Sequence, residues 1–203
     1  ENSREEKSAV GRSQLSGKPL DFVSINDLEV SNEKNRLSTG FKDLDTVLGG
    51  GILPGSVALL AGQPGIGKST LLMQICATIA SDHKVLYISG EESAGQVKLR
   101  AIRLGADSDN LKFASSTSAN DIAKTIEEGG FDLVIVDSIQ TLTIAEIASA
   151  PGGISQVTNC GNLIIRAAKM SDTAVIIVGH VTKEGTLAGP KVLEHLVDIV
   201  LNF

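Results

Sequence analysis

The strongest constraint on the fold is a glycine-rich run, residues 62–69, between a stretch typical of a β-strand and a stretch typical of an α-helix. It matches the pattern G-x-x-x-x-G-K-[ST] at every fixed position. Because glycines let backbone N–H groups curl round phosphates, and the next helix directs the positive end of its dipole at them, the run predicts a phosphate-binding loop. A glycine-rich turn that matches by chance is the alternative, and the flanking strand and helix argue against it. The predicted nucleotide-binding residues are Gly62, Gln63, Pro64, Gly65, Ile66, Gly67, Lys68, Ser69 and Thr70.

Two residues of the loop have more specific predicted roles. Lys68 is expected to reach the β- and γ-phosphates of a nucleoside triphosphate, and the Ser69 hydroxyl is expected to ligate Mg²⁺. Hydrolysis would give Lys68 a catalytic role as well, because its charge stabilises the transferred phosphoryl group.

From Val57 onward, stretches typical of strands alternate with stretches typical of helices. Such alternation predicts an α/β fold with a doubly wound, mostly parallel sheet, helices on both faces and the ligand at the carboxyl ends of the strands. An earlier helix is expected to take its N-cap from residues 38–40 and to stop at the glycines 49–51. The predicted strands are 57–61, 85–89, 111–114, 131–137, 174–179 and 197–203, and the predicted helices are 68–80, 93–104, 120–128 and 155–170.

Composition favours a single domain preceded by a linker. Residues 1–35 are polar and are expected to form a linker, and residues 36–203 are expected to form the domain. With no Trp and one Tyr, the core must be built from Val, Ile, Leu and Ala, which suits a parallel sheet. The net charge of −6 gives no overall attraction to nucleic acid, so DNA contact would need a local basic patch or several subunits around the strand.

Cysteine usage and hydropathy bear on the compartment. Cys76 and Cys160 are isolated, without metal-ligand spacing, and are expected to be reduced and buried in a cytosol-like compartment. No apolar run approaches the ~18 residues that a bilayer requires. The polar start, which lacks Met, is no signal peptide and suggests a fragment of a longer protein.

Polar residues at predicted strand ends complete a candidate site. Asp137 ends an apolar strand and is expected to hold Mg²⁺ through water; the alternative is an acid that caps a turn. Glu91 and Glu92 directly follow another strand, so one is a candidate general base, while the other is explained by capping the next helix. His180 is expected to face the γ-phosphate, although a lone His more often simply ends a strand.

Several segments resemble the RecA-like ATPase core of the bacterial-type RadA (Sms) family, and the similarity covers about residues 36–203. The resemblance implies a RecA-like P-loop NTPase fold. Its motifs are Leu37-Ser38-Thr39-Gly40-Phe41, Tyr87-Ile88-Ser89-Gly90-Glu91-Glu92-Ser93, Gly179-His180-Val181-Thr182-Lys183-Glu184-Gly185 and Ala188-Gly189-Pro190-Lys191-Val192-Leu193-Glu194-His195.

The resemblance also implies a function. It suggests an ATP-dependent, DNA-stimulated motor of recombination and repair that forms a hexameric ring on single-stranded DNA, drives branch migration and works with a RecA-type recombinase. Such a protein acts in the cytoplasm at the nucleoid, or in an organelle of bacterial origin. By the same resemblance Glu91 is the catalytic base and His180 senses the γ-phosphate. Mobile loops at residues 148–156 and 182–191 would line the DNA channel, with Lys183 and Lys191 contacting phosphates.

The chain departs from the family pattern in three ways. It has no four-cysteine zinc module, so no zinc is expected here, and it stops before a Lys-Asn-Arg-Phe-Gly motif and before a Lon-like domain. These departures lead us to expect nucleotide binding with slow hydrolysis and no stable ring. Two other functions stay open: a RecA-fold phosphotransferase or autokinase related to circadian-clock ATPases, and a scaffold whose oligomerisation is gated by nucleotide.

Overall fold

The computed structural model describes residues 18–27, 36–181 and 190–203. The chain divides into two units, residues 1–33 and 34–203. In the first unit, the described segment contains a short 3₁₀ helix at Ile25–Asp27. The second unit carries the sheet and the candidate site.

In the described part of the second unit, six strands alternate with six helices. The strands are β1 (Val57–Gly62), β2 (Val85–Ser89), β3 (Leu111–Ser115), β4 (Leu133–Asp137), β5 (Ala174–His180) and β6 (Ile199–Asn202). The helices are α1 (Lys42–Val47), α2 (Lys68–Ile79), α3 (Ala94–Arg103), α4 (Ala119–Glu128), α5 (Ile154–Ser171) and α6 (Pro190–Leu193), with a 3₁₀ turn at Ile139–Thr141.

The strands form one parallel sheet in the order β3-β2-β4-β5-β1-β6. β1, β2 and β4 are buried along their whole length, because helices cover both faces. Two apolar clusters flank the sheet; Val57 and Leu59 of β1 point into one cluster, and Ala58 and Leu60 point into the other. The predicted doubly wound α/β fold is confirmed.

Strand register brings the functional strand ends to one edge. Gly62 at the end of β1 pairs with His180 at the end of β5, and Ser89 at the end of β2 pairs with Asp137 at the end of β4. Since all strands are parallel, these four residues lie at the carboxyl edge, where open α/β sheets bind their ligands.

The predicted start of α1 is wrong. The helix begins at Lys42, and its N-cap, Phe41, makes no side-chain cap hydrogen bond. Ser38 and Thr39, which were predicted to cap the helix, instead donate hydrogen bonds to Asp45 of α1. Ser38 Oγ donates to Asp45 Oδ2 at 2.7 Å, while Thr39 donates to Asp45 Oδ1 from its N–H at 2.8 Å and from Oγ1 at 2.7 Å. Burial alone would raise the pKa of Asp45, but these hydrogen bonds outweigh it and lower that pKa.

The last elements also differ from the prediction. Residues 190–193 form α6, where a loop was expected, and β6 begins at Ile199 and not at Val197. The reason is that the Val197 N–H donates to the carbonyl of Leu193 (3.1 Å), which keeps Val197 in a turn after α6. No helix among the described residues is long and apolar enough to cross a bilayer.

Candidate phosphate-binding site

The loop between β1 and α2 has the backbone that a phosphate site requires. Gly65 and Gly67 have φ angles of +78° and +115°, a region that side chains other than glycine rarely adopt. Gly67 is the N-cap of α2. The first N–H groups of an α-helix have no partner within the helix, so this helix start directs donors and a positive dipole end at the loop.

Phe203 packs against the loop from the end of β6. Its N–H donates to the Ala61 carbonyl at 2.8 Å, and a Cβ added to Gly62 would lie 3.0 Å from the Phe203 carbonyl oxygen. A side chain at position 62 would therefore crowd Phe203, which would have to shift by a few tenths of an ångström to admit it.

Lys68 is folded back into its own loop. Its side chain is buried, and Nζ donates to the carbonyl oxygens of Gly62 and Gln63 at 2.7 and 2.8 Å. Burial lowers the pKa of Lys68, while the negative charges of Asp137 and Glu91 act in the opposite direction. The two carbonyl oxygens hold the ammonium where phosphate oxygens can replace them as acceptors.

Ser69 and Asp137 meet as the sequence predicts. Ser69 Oγ donates to Asp137 Oδ2 at 2.9 Å, and Asp137 is 6% exposed at the end of β4. A hydroxyl and a carboxylate are hard oxygen donors of the kind Mg²⁺ prefers beside nucleotide phosphates, so these residues fit that ion. The described residues contain no cluster of three or more His, Cys, Asp or Glu side chains that could hold a metal on its own.

The two glutamates after β2 have different partners. Glu92 forms a bidentate pair with Arg100 of α3, with Oε1 2.8 Å from Nη1 and Oε2 bound to Nη2, and this hydrogen bonding raises the pKa of Arg100. Glu91 accepts a hydrogen bond from Ser138 Oγ at 2.6 Å. The expectation that one glutamate caps the next helix is wrong, because Ser93 caps α3.

His180 lies beside Glu91. Its Nε2 is 3.4 Å from Glu91 Oε1, yet among residues 18–27, 36–181 and 190–203 neither buried ring nitrogen has a hydrogen-bond partner. Its backbone carbonyl accepts a hydrogen bond from Gln140 Nε2 at 2.9 Å, and Gln140 Oε1 is likewise buried and without a partner.

These residues line one cavity of about 440 Å³, a volume in the range of small-molecule sites. It brings together the phosphate loop, both glutamates, Asp137 and His180. Sequence reasoning missed Arg100, which also lines it, and the supporting residues Tyr87, Ser138 and Gln140. Only Ser138, next to Asp137, had a signal in the sequence.

The predicted DNA residues lie elsewhere or outside the description. Lys183 lies outside the described residues, as do residues 182–189 of its loop. Lys191 is exposed on α6. In the other predicted loop, residues 154–156 belong to α5, and Gln156 is buried: it accepts from the Ile144 N–H and donates to three carbonyls of residues 144–149. The buried Gln156 side chain therefore holds residues 144–149 against the start of α5.

A parallel sheet in this strand order, with a phosphate loop after β1 and a buried Asp at the end of β4, defines a P-loop NTPase domain with the RecA-like fold. The chain belongs to the family described as AAA domain, which matches residues 27–186.

Relatives agree with the resemblance drawn from the sequence. The chain is 51% identical over 192 residues to the DNA repair protein RadA of Haemophilus influenzae (95% of this chain, 41% of the relative). It is 50% identical over 166 residues to RadA of Escherichia coli (82% and 36%) and 48% identical over 187 residues to RadA of Bacillus subtilis (92% and 40%). The predicted similarity to RadA is confirmed, and the chain spans less than half of the length of these relatives.

Proposed function

We propose that this chain binds ATP with Mg²⁺ and hydrolyses it, with Glu91 as the general base. The observation that carries the proposal is the single cavity in which Lys68, Ser69, Asp137 and Glu91 converge. Mg²⁺, when bound, would neutralise the negative charge that develops on the phosphates. Ser69 and Asp137 would hold it.

Each residue has a defined task in this mechanism. Lys68 exchanges its two carbonyl acceptors for phosphate oxygens and stabilises their negative charge. Glu91 takes a proton from water as the water oxygen bonds to the γ-phosphorus and the bond from phosphorus to the β–γ bridging oxygen breaks. The proton then passes to the products. His180, next to Glu91, contacts the same region.

Glu91 is a better base than Glu92 because of their partners. The Arg100 guanidinium occupies both oxygens of Glu92, so Glu92 could approach a water molecule as its base only by breaking that pair. Among the described residues Glu91 accepts its hydrogen bond through Oε1 alone, and its side chain, which lines the cavity, is 46% exposed. A general base must lie within hydrogen-bond reach of the water it activates, which the exposed carboxylate allows.

Turnover of ATP tests the proposal directly. Lys68→Ala should abolish phosphate release, while Lys124→Ala, which removes an exposed lysine of α4 paired with Glu128, should leave it unchanged. Activity that survives Lys68→Ala would refute the assignment. With γ-labelled ATP, label should appear as free phosphate; label on the protein would favour the phosphotransferase alternative.

We further propose that the ATPase serves a DNA-stimulated motor of recombination and repair. The support is the similarity to proteins named DNA repair protein RadA. Single-stranded DNA and recombination intermediates are the proposed substrates, with a RecA-type recombinase as partner and a hexameric ring as the active assembly in the full-length protein, acting in the cytoplasm at the nucleoid.

DNA contact is assigned to Lys183 and Lys191, and it is testable by salt dependence. In a chain extended to the length of its relatives, single-stranded DNA should raise ATP turnover, and the effect should weaken as salt rises. Lys191→Ala should lower DNA retention, whereas the matched Lys124→Ala should not. Turnover and DNA retention that vary independently of each other would contradict the motor proposal.

A further inference from the structure

Tyr87 places a hydroxyl group in the apolar core beside the metal-binding residues. It lies in the middle of β2, between Phe113 of β3 and Ile135 of β4, and is 1% exposed. It is the only tyrosine of the chain. A buried hydroxyl costs free energy unless it is hydrogen-bonded, and a phenylalanine would fill the same space without that cost.

The Tyr87 hydroxyl donates its hydrogen bond to the Asp137 carboxylate. Tyr87 Oη donates to Asp137 Oδ2 at 2.6 Å, the same oxygen that accepts from Ser69 at 2.9 Å. Among the described residues, every hydrogen bond to the Asp137 side chain goes to Oδ2, and Oδ1 accepts none. A tyrosine hydroxyl has one hydrogen to donate, and that of Tyr87 goes to the Asp137 carboxylate.

A second polar group of the site lies over the ring of Tyr87. The Arg100 guanidinium, which holds Glu92, is 6.0 Å from the ring centroid. Tyr87 thus contacts both the metal-binding Asp137 and the cation that occupies Glu92.

Building on the proposed ATP hydrolysis, we propose that Tyr87 is a positioning residue for the Mg²⁺ site. Its hydroxyl fixes the rotation of the Asp137 carboxylate by holding Oδ2, which leaves Oδ1 as the free acceptor. Asp137 is then ordered before the ion arrives, so the ion does not have to offset the entropy of ordering it. Without the hydroxyl, Asp137 would be held by Ser69 alone, which also has to serve the ion.

The Tyr87→Phe variant removes this one hydrogen bond and little else. Binding of a fluorescent ATP analogue is measured by titration, first with EDTA and then over a range of Mg²⁺ concentrations. We expect the Mg²⁺ concentration for half-maximal enhancement of binding to rise about tenfold, since hydrogen bonds to charged groups are among the stronger ones. Affinity in EDTA should stay within about twofold of wild type, because the phosphate loop itself is intact.

Ile135→Val is the matched control. Ile135 is the cross-strand neighbour of Tyr87, fully buried, in the same apolar cluster. Trimming it disturbs packing at the same place without touching the carboxylate, so its Mg²⁺ requirement should match wild type.

Ultraviolet spectroscopy of the wild-type chain gives an independent readout. With one Tyr and no Trp, the near-ultraviolet signal of the chain reports on Tyr87 almost alone. We expect Asp137→Asn to shift the tyrosine absorption and emission, because the acceptor of its hydroxyl changes from a charged to a neutral group. This measurement decides the bond even if Tyr87→Phe were to fold poorly.

Different experimental results would overturn this proposal and the proposed function. A Mg²⁺ requirement unchanged in Tyr87→Phe, an equal loss of binding with and without Mg²⁺, or a tyrosine signal insensitive to Asp137→Asn would each overturn the positioning role. A wild-type chain that binds no ATP analogue at all would instead overturn the proposed function.

Discussion

Replacing each of the two adjacent glutamates by glutamine separates catalysis from stability. Glu91→Gln keeps the shape of the side chain and an oxygen that can accept the hydrogen bond from Ser138 Oγ, which is 2.6 Å long in the wild type, but it can no longer take a proton. General acid–base catalysis contributes about 10²–10⁴-fold, or roughly 2.7–5.4 kcal/mol of barrier, so kcat should fall by that factor. Affinity for ATP should change little, because phosphate contacts remain.

Glu92→Gln should do the reverse. It replaces a charged bidentate pair, in which Arg100 is 12% and Glu92 31% exposed, by a hydrogen bond from the charged guanidinium to a neutral amide oxygen. Because the pair is partly open to solvent, the cost should stay near about 1–2 kcal/mol, below the 3–5 kcal/mol of a fully buried pair. For a chain of this size that corresponds to a drop in Tm of about 2–8 °C.

Steady-state ATP turnover and a thermal melt of both variants, side by side, are the assays. If Glu92→Gln lost turnover by about 10²-fold or more while Glu91→Gln stayed active, the assignment of Glu91 as the base would be refuted. That threshold is the lower end of what general acid–base catalysis contributes. A Glu91→Gln variant that lost ATP affinity in proportion to kcat would show a binding role and not a base.

Three further predictions concern stability and accessibility. Asp45→Asn should destabilise the fold by about 1–2 kcal/mol at pH 7. Because the folded pKa of Asp45 is lowered, its contribution to stability is present above its unfolded pKa of about 4 and is lost as pH falls through the folded pKa. Thermal melts should therefore show the difference in stability between variant and wild type shrinking below about pH 4. Gln156→Leu should cost about 2–4 kcal/mol in urea titrations, because it leaves buried backbone groups unpaired, whereas Asn159→Ala on the exposed side of α5 should cost under about 1 kcal/mol. Burial raises the pKa of Cys76 to about 12 and that of Cys160 to about 11, so a thiol reagent at pH 8 should label both quickly in denaturant and slowly in the native chain; fast native labelling would contradict their burial.

The fold and the first ligands of the site could be predicted because their signals are local. The spacing of the glycines and Lys68 describes a loop by itself, and apolar runs ending in Asp137 or Glu91 place those residues at strand ends. Parallel strands then bring all such ends to one edge, whichever order the strands take.

The rest depends on strand order, which no local pattern records. Tyr87 reads as an ordinary core residue until β2 is known to lie beside β4, which sets its hydroxyl against Asp137. Arg100 lies eight residues after Glu92, outside the three- and four-residue spacings that pair side chains on a helix, because Glu92 precedes α3. The predicted start of α1 is wrong because Ser38 and Thr39 donate hydrogen bonds to Asp45, whereas an N-cap side chain accepts a hydrogen bond from the helix backbone.

Phe203 links the end of β6 to the start of the phosphate loop. β6 pairs with β1, and one hydrogen bond joins the Phe203 N–H to the carbonyl of Ala61, the residue before the first glycine of the loop. A displacement of Phe203 would therefore act on the main chain at Ala61, directly before the loop, and on the rest of β1 through the paired residues of β6.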